Sequence, residues 1–86
     1  MRIEVVRSGG LAGISRRAAI DTTGRPDAGH LHALAEAALA PGYPQAPVPD
    51  GFSYDITVDS RTVHCADPQL TQAQRELIQV LLDEGA

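Results

Sequence analysis

From Phe52 to Asp59, apolar and polar residues alternate without a break. Phe52, Tyr54, Ile56 and Val58 fall on one side of an extended chain, and Ser53, Asp55, Thr57 and Asp59 on the other. Period-two patterning marks a strand with one buried and one wet face. A chain containing such a strand is committed to a sheet covered on one side only.

The remaining elements follow from the same kind of reading. Residues 2–7 form a candidate strand, with Ile3 and Val5 on one face and Arg2, Glu4 and Val6 on the other. Residues 14–20 are its partner. Ile14, Ala18 and Ile20 share a parity and are expected to face inward. Arg16 has the same parity and breaks the pattern, which a bulge or a frayed strand start would explain. Asp21 to Pro26 is a turn, and a helix is expected to begin near Pro26 or Asp27, where a missing N–H and a negative charge are both favourable. Leu31, Leu34, Ala35, Ala38 and Leu39 then share one helical stripe, and the helix stops before Pro41-Gly42. Residues 40–51 hold four of the six prolines and read as a stiff connector back to the sheet. After Val58, Asp59-Ser60-Arg61 turns the chain and Thr62 to Ala66 returns, with Val63 and Cys65 inward. Thr71 and Gln74 have capping-box spacing and open a leucine-rich helix that ends at Gly85. The order ββαββα predicts an α+β fold, a four-stranded antiparallel sheet with both helices on one face.

Eighty-six residues are enough for one domain, spanning 1–86, with a modest core. The net charge of −4 argues against nucleic acid and anionic membrane as partners. The charge is unevenly spread. Residues 1–25 carry five arginines against Glu4 and Asp21, a balance of +3, and the remainder carries −7. One cysteine excludes an internal disulfide. The N-terminus enters a strand without a signal-like pattern, and no apolar run approaches membrane-spanning length, so a cytoplasmic monomer is expected.

Between the first two strands lies Arg7-Ser8-Gly9-Gly10-Leu11-Ala12-Gly13-Ile14. Three glycines cost conformational entropy and supply no packing, so the cluster needs a reason. One reason is a hairpin turn with positive φ. The other is a presented loop, thin enough to enter a partner's groove, with Leu11 at its tip.

Other constellations fail on geometry. His30 and His32 are two apart and diverge by about 200° on a helix, whereas helical metal pairs are three or four apart. His64 and Cys65 are adjacent on a strand and point to opposite faces, which excludes both a shared metal and a nucleophile–base pair. Ser8-Gly9-Gly10 lacks the following helix N-terminus of a phosphate cradle. Asp55 and Asp59 lie on a wet face. No catalytic set, metal site or cofactor is expected.

The run Arg2-Ile3-x-Val5-x-Arg7-Ser8-Gly9-Gly10-Leu11-Ala12-Gly13-Ile14 resembles the start of the emfourin family, small bacterial protein inhibitors of thermolysin-like zinc metallopeptidases. Pro49-Asp50-Gly51-Phe52-x-Tyr54, Val63-His64 and the closing helix agree with it, so the resemblance spans essentially the whole chain. Two features depart from it: Leu11 stands where the family often has Phe, and the first-helix segment is short and contains Gly29.

The resemblance implies a non-enzymatic inhibitor that occupies the cleft of a protealysin-type metallopeptidase. The Ser8–Gly13 loop would then enter the cleft, with Leu11 in the pocket for the residue after the scissile bond. Arg7, Ile14 and Arg16 would supply the surrounding footprint. The alternatives are an interaction module whose glycine loop is only a turn and, more remotely, a small enzyme using Cys65.

Overall fold

The computed structural model describes residues 1–9, 15–40, 52–66 and 70–84. Its elements run β1 (Arg2–Gly9), β2 (Arg16–Asp21), α1 (Ala28–Ala38), β3 (Phe52–Val58), β4 (Arg61–Ala66) and α2 (Gln72–Glu84). The strands form one antiparallel sheet in the order β2-β1-β3-β4, so the two hairpins meet through β1 and β3. This is the α+β architecture expected from the element order.

Alternation decides which face is buried. Ile3, Val5, Ala18, Ile20, Tyr54, Ile56, Val58 and Cys65 all lie on one face and are buried. The helices cover that face with Leu31, Leu34, Ala35 and Ala38 from α1 and Leu77, Ile78 and Leu81 from α2. The opposite face stays polar. Thr57 meets Thr62 there at 3.0 Å, Asp55 meets His64 at 2.7 Å, and Glu4 lies between Arg2 and Arg17.

Strand ends differ from the sequence expectation by one or two residues, each for a pairing reason. β1 continues to Gly9 because Ser8 and Gly9 pair with Ser53 and Phe52. β4 begins at Arg61, since the turn needs only Asp59 and Ser60 and Arg61 pairs with Val58. Asp59 takes a positive φ of 55° at that turn. It is held by exchange with Arg2: Asp59 N–H donates to the Arg2 carbonyl at 2.9 Å, and Arg2 N–H donates to Asp59 Oδ1 at 3.0 Å.

Of the two explanations for Arg16, a bulge or a strand start beside the loop, the second fits, because β2 begins at Arg16. The β1–β2 register is regular from Arg2↔Asp21 through Arg7↔Arg16. Arg16 is exposed at the strand end, and its Nη2 donates to the Leu82 carbonyl at 2.7 Å. A cation there satisfies an orphan carbonyl at the C-terminal end of α2 and complements the helix dipole.

Helix starts are fixed in two ways. At α2, Thr71 N–H donates to Gln74 Oε1 at 3.0 Å and Gln74 N–H donates to Thr71 Oγ1 at 3.1 Å, the reciprocal capping box expected from the sequence. At α1, Asp27 holds the N-cap position without a side-chain cap. Its carboxylate instead accepts from Arg25 Nε and Nη2 at 2.9 and 3.1 Å. Arg25 also reaches Glu84 at 2.9 Å, which ties the start of α1 to the end of α2.

Candidate functional site

Of the residues singled out in the sequence, four lie at one end of the β1–β2 hairpin. Arg7, Ser8 and Gly9 close β1, and Arg16 opens β2. The expected contacts of Gly10, Leu11, Ala12, Gly13 and Ile14 lie outside the described residues. What the structure describes is the base from which the loop departs.

That base rests on three strands. β1 is paired with β3 as far as Gly9↔Phe52, beyond its last pair with β2, Arg7↔Arg16. Gly9 then leaves the sheet with φ 94°, a conformation open to glycine and costly for residues with a Cβ. Hence at least one glycine of the cluster is required by backbone geometry at the exit from the sheet.

Two arginines flank the exit. Arg7 and Arg16 are direct cross-strand partners on the helix-covered side, an arrangement that like charges disfavour. Their guanidinium groups diverge. Arg16 turns toward Leu82, and Arg7 lies over the Phe52 ring on the other side, 4.5 Å from the centroid. The spacing suits a cation–π contact. Phe52 is half-buried at the margin of the core, and Tyr54, next on the same face, is buried.

Phe52 is the site residue that the sequence reading assigned only to the core. The available signal was parity: Arg7 follows Ile3 and Val5 at the same spacing and must emerge on their face.

The expected split of His64 and Cys65 to opposite faces holds. His64 is exposed on the open face and Cys65 is buried on the other. His30 and His32 are exposed on α1, where the His32 ring meets the buried Thr22 hydroxyl at 2.8 Å. Among the described residues no group of three or more His, Cys, Asp or Glu side chains could hold a metal ion. An open groove of about 430 Å³ runs between the outer sides of α1 and α2, over Leu34 and Val80. No helix of the described residues is long and apolar enough to cross a membrane.

Fold and site together define a small α+β protein in which a one-side-covered sheet carries a glycine-rich hairpin end between two arginines. The chain belongs to the Emfourin family, whose model matches residues 5–82. Comparison with curated proteins and with solved structures finds no match. Family membership points to a metallopeptidase inhibitor.

Proposed function

We propose that this protein inhibits a thermolysin-like zinc metallopeptidase by seating the Ser8–Gly13 segment, whose first two residues end β1, in the enzyme's active-site cleft. Leu11 fills the apolar pocket that receives the residue after the scissile bond. The catalytic zinc is the enzyme's, and the inhibitor contributes shape and side chains only.

The family match over residues 5–82 carries the inhibitor reading, and the loop and Leu11 are assigned from the sequence. The hairpin base is compatible with it. Strands on both sides of β1 fix the root of the loop, so docking loses less conformational freedom than it would for a free peptide. Small flanking residues leave room for close backbone approach. Burying one leucine contributes about 1.5–3 kcal/mol. Tight inhibition therefore needs further contacts around the loop, and Arg7, Ile14 and Arg16 are placed by sequence to make them.

Titration of a thermolysin-like peptidase with the wild type and with Leu11→Asp tests the reading. The variant should weaken inhibition by roughly tenfold to more than a hundredfold, the equivalent of one lost leucine contact. A folded Leu11→Asp variant that inhibits as well as the wild type would show that Leu11 is not the plug. A wild type that leaves such peptidases untouched would favour an interaction module with an ordinary turn.

A further inference from the structure

We propose that Arg7 is a preformed carboxylate receptor at the root of the loop, pairing with an aspartate or glutamate on the rim of the bound peptidase's cleft. The proposal rests on the inhibitor reading above and adds the chemistry of a second anchor.

Arg7 occupies a position where the strand pattern calls for an apolar residue. It follows Ile3 and Val5 on the covered face, opposite the buried Tyr54. Its guanidinium is held against the Phe52 ring at 4.5 Å. Stacking covers one face of the planar group and holds it in place, and a planar guanidinium pairs with a carboxylate through two parallel N–H groups along one edge.

Among the described residues the Arg7 guanidinium has no acceptor. Arg2 and Arg17 approach Glu4, Arg25 binds Asp27 and Glu84, and Arg61 binds Glu36. Arg16 is committed to the Leu82 carbonyl. Arg7, like the exposed Arg75, has no such partner among the described residues, and what sets Arg7 apart is that its Nε is sealed from solvent without a hydrogen bond. Of this guanidinium only Nε is both buried and unpartnered, and in the proposed pair the incoming carboxylate lies on the Nη1–Nη2 edge.

Local charge supports the same partner. The first 25 residues carry +3 in a chain of net −4, so the hairpin is the basic part of an acidic molecule. An acidic rim attracts this region and repels the rest, which orients the encounter. The stacked ring lowers the side-chain entropy lost when the pair forms.

The alternative is that Arg7 only shields Phe52. Arg7→Met separates the two roles, because methionine still covers the ring but carries no charge. Inhibition of a thermolysin-like peptidase is measured at about 20 and 300 mM salt, on either side of strong screening. Arg7→Met should inhibit roughly tenfold less well at low salt and show a flatter salt dependence, with Arg7→Lys intermediate. Arg17→Met, on the opposite sheet face, should stay within about twofold of the wild type. In the wild type itself, the Arg7 Nε–H nuclear magnetic resonance signal should shift when the peptidase is added, a readout that needs no variant to fold. Wild-type inhibition with an unchanged Arg7→Met variant, or with an unmoved Nε–H signal, overturns the receptor and leaves the inhibitor reading standing. Absence of wild-type inhibition overturns both.

Discussion

The Gln74 side chain donates through Nε2 to the Ala38 carbonyl at 3.1 Å, and so joins the first turn of α2 to the last turn of α1. The same side chain accepts from Thr71 N–H through Oε1. Gln74 is 1% exposed, one of only two buried polar residues among those described. One amide therefore closes the capping box and satisfies a carbonyl that the end of α1 leaves without a helical partner. The two helices are locked at this point as well as by apolar contact.

Gln74→Ala should thus cost more than an ordinary cap. It removes the Oε1 half of the capping box and orphans the buried Ala38 carbonyl, for a combined loss of about 2–3 kcal/mol. Thr71→Ala removes only the reciprocal half and should cost about 1 kcal/mol. Urea unfolding of the two variants checks this, and equal losses would mean that the Ala38 contact contributes nothing.

This contact also shows where sequence reading stops. Thr71 and Gln74 announced the cap because its two halves are three residues apart. The Ala38 contact spans the helical layer and leaves no local pattern. Arg16 is similar: the break in alternation was visible, but its cause is a carbonyl at the far end of the chain. The charge of Asp27 suits a helix start and stands at one, but it is shared with Arg25. Strands and helices were legible because periodicity is local. At the candidate site, the flanking positions of Arg7 and Arg16 followed from the hairpin. The Arg7–Phe52 stack did not, since it depends on how β1 registers against β3.

Gly24 and Gly29 offer a paired test in which steric room is equal. A Cβ added at either meets nothing within 4 Å. Gly29 lies in the first turn of α1 and is exposed, so Gly29→Ala should gain up to about 0.5–1 kcal/mol by reducing unfolded-state freedom. Gly24 has φ 78°, so Gly24→Ala should lose about 1–2 kcal/mol to backbone strain. Thermal melts should move in opposite directions, by several degrees for each kcal/mol in a chain of this size.

Acid sensitivity should arise in part from two carboxylates. Hydrogen bonding from Arg25 holds Asp27 below its ordinary value, and Arg61 does the same for Glu36. Because the folded values are depressed, the stability they contribute is present above the unfolded values, about pH 4, and is lost as pH falls through the folded values. Both groups are exposed, so screening makes the effect small. Asp27→Asn combined with Glu36→Gln should flatten the dependence of the urea midpoint on pH below about 4. An unchanged slope would place the acid sensitivity elsewhere.

Arg16 provides the last test, because it joins the loop end to α2. Its guanidinium contacts the Leu82 carbonyl within the final turn, where a positive charge contributes about 0.3–1 kcal/mol. Arg16→Gln keeps a side-chain donor but removes the charge, and should lose most of that amount. Arg16→Lys keeps the charge within reach of the same carbonyl and should lose less. The order wild type, Lys, Gln in urea midpoint would tie the start of β2 to the end of α2 through electrostatics. A Gln variant as stable as the wild type would mean that the contact leaves the fold indifferent to charge at this position.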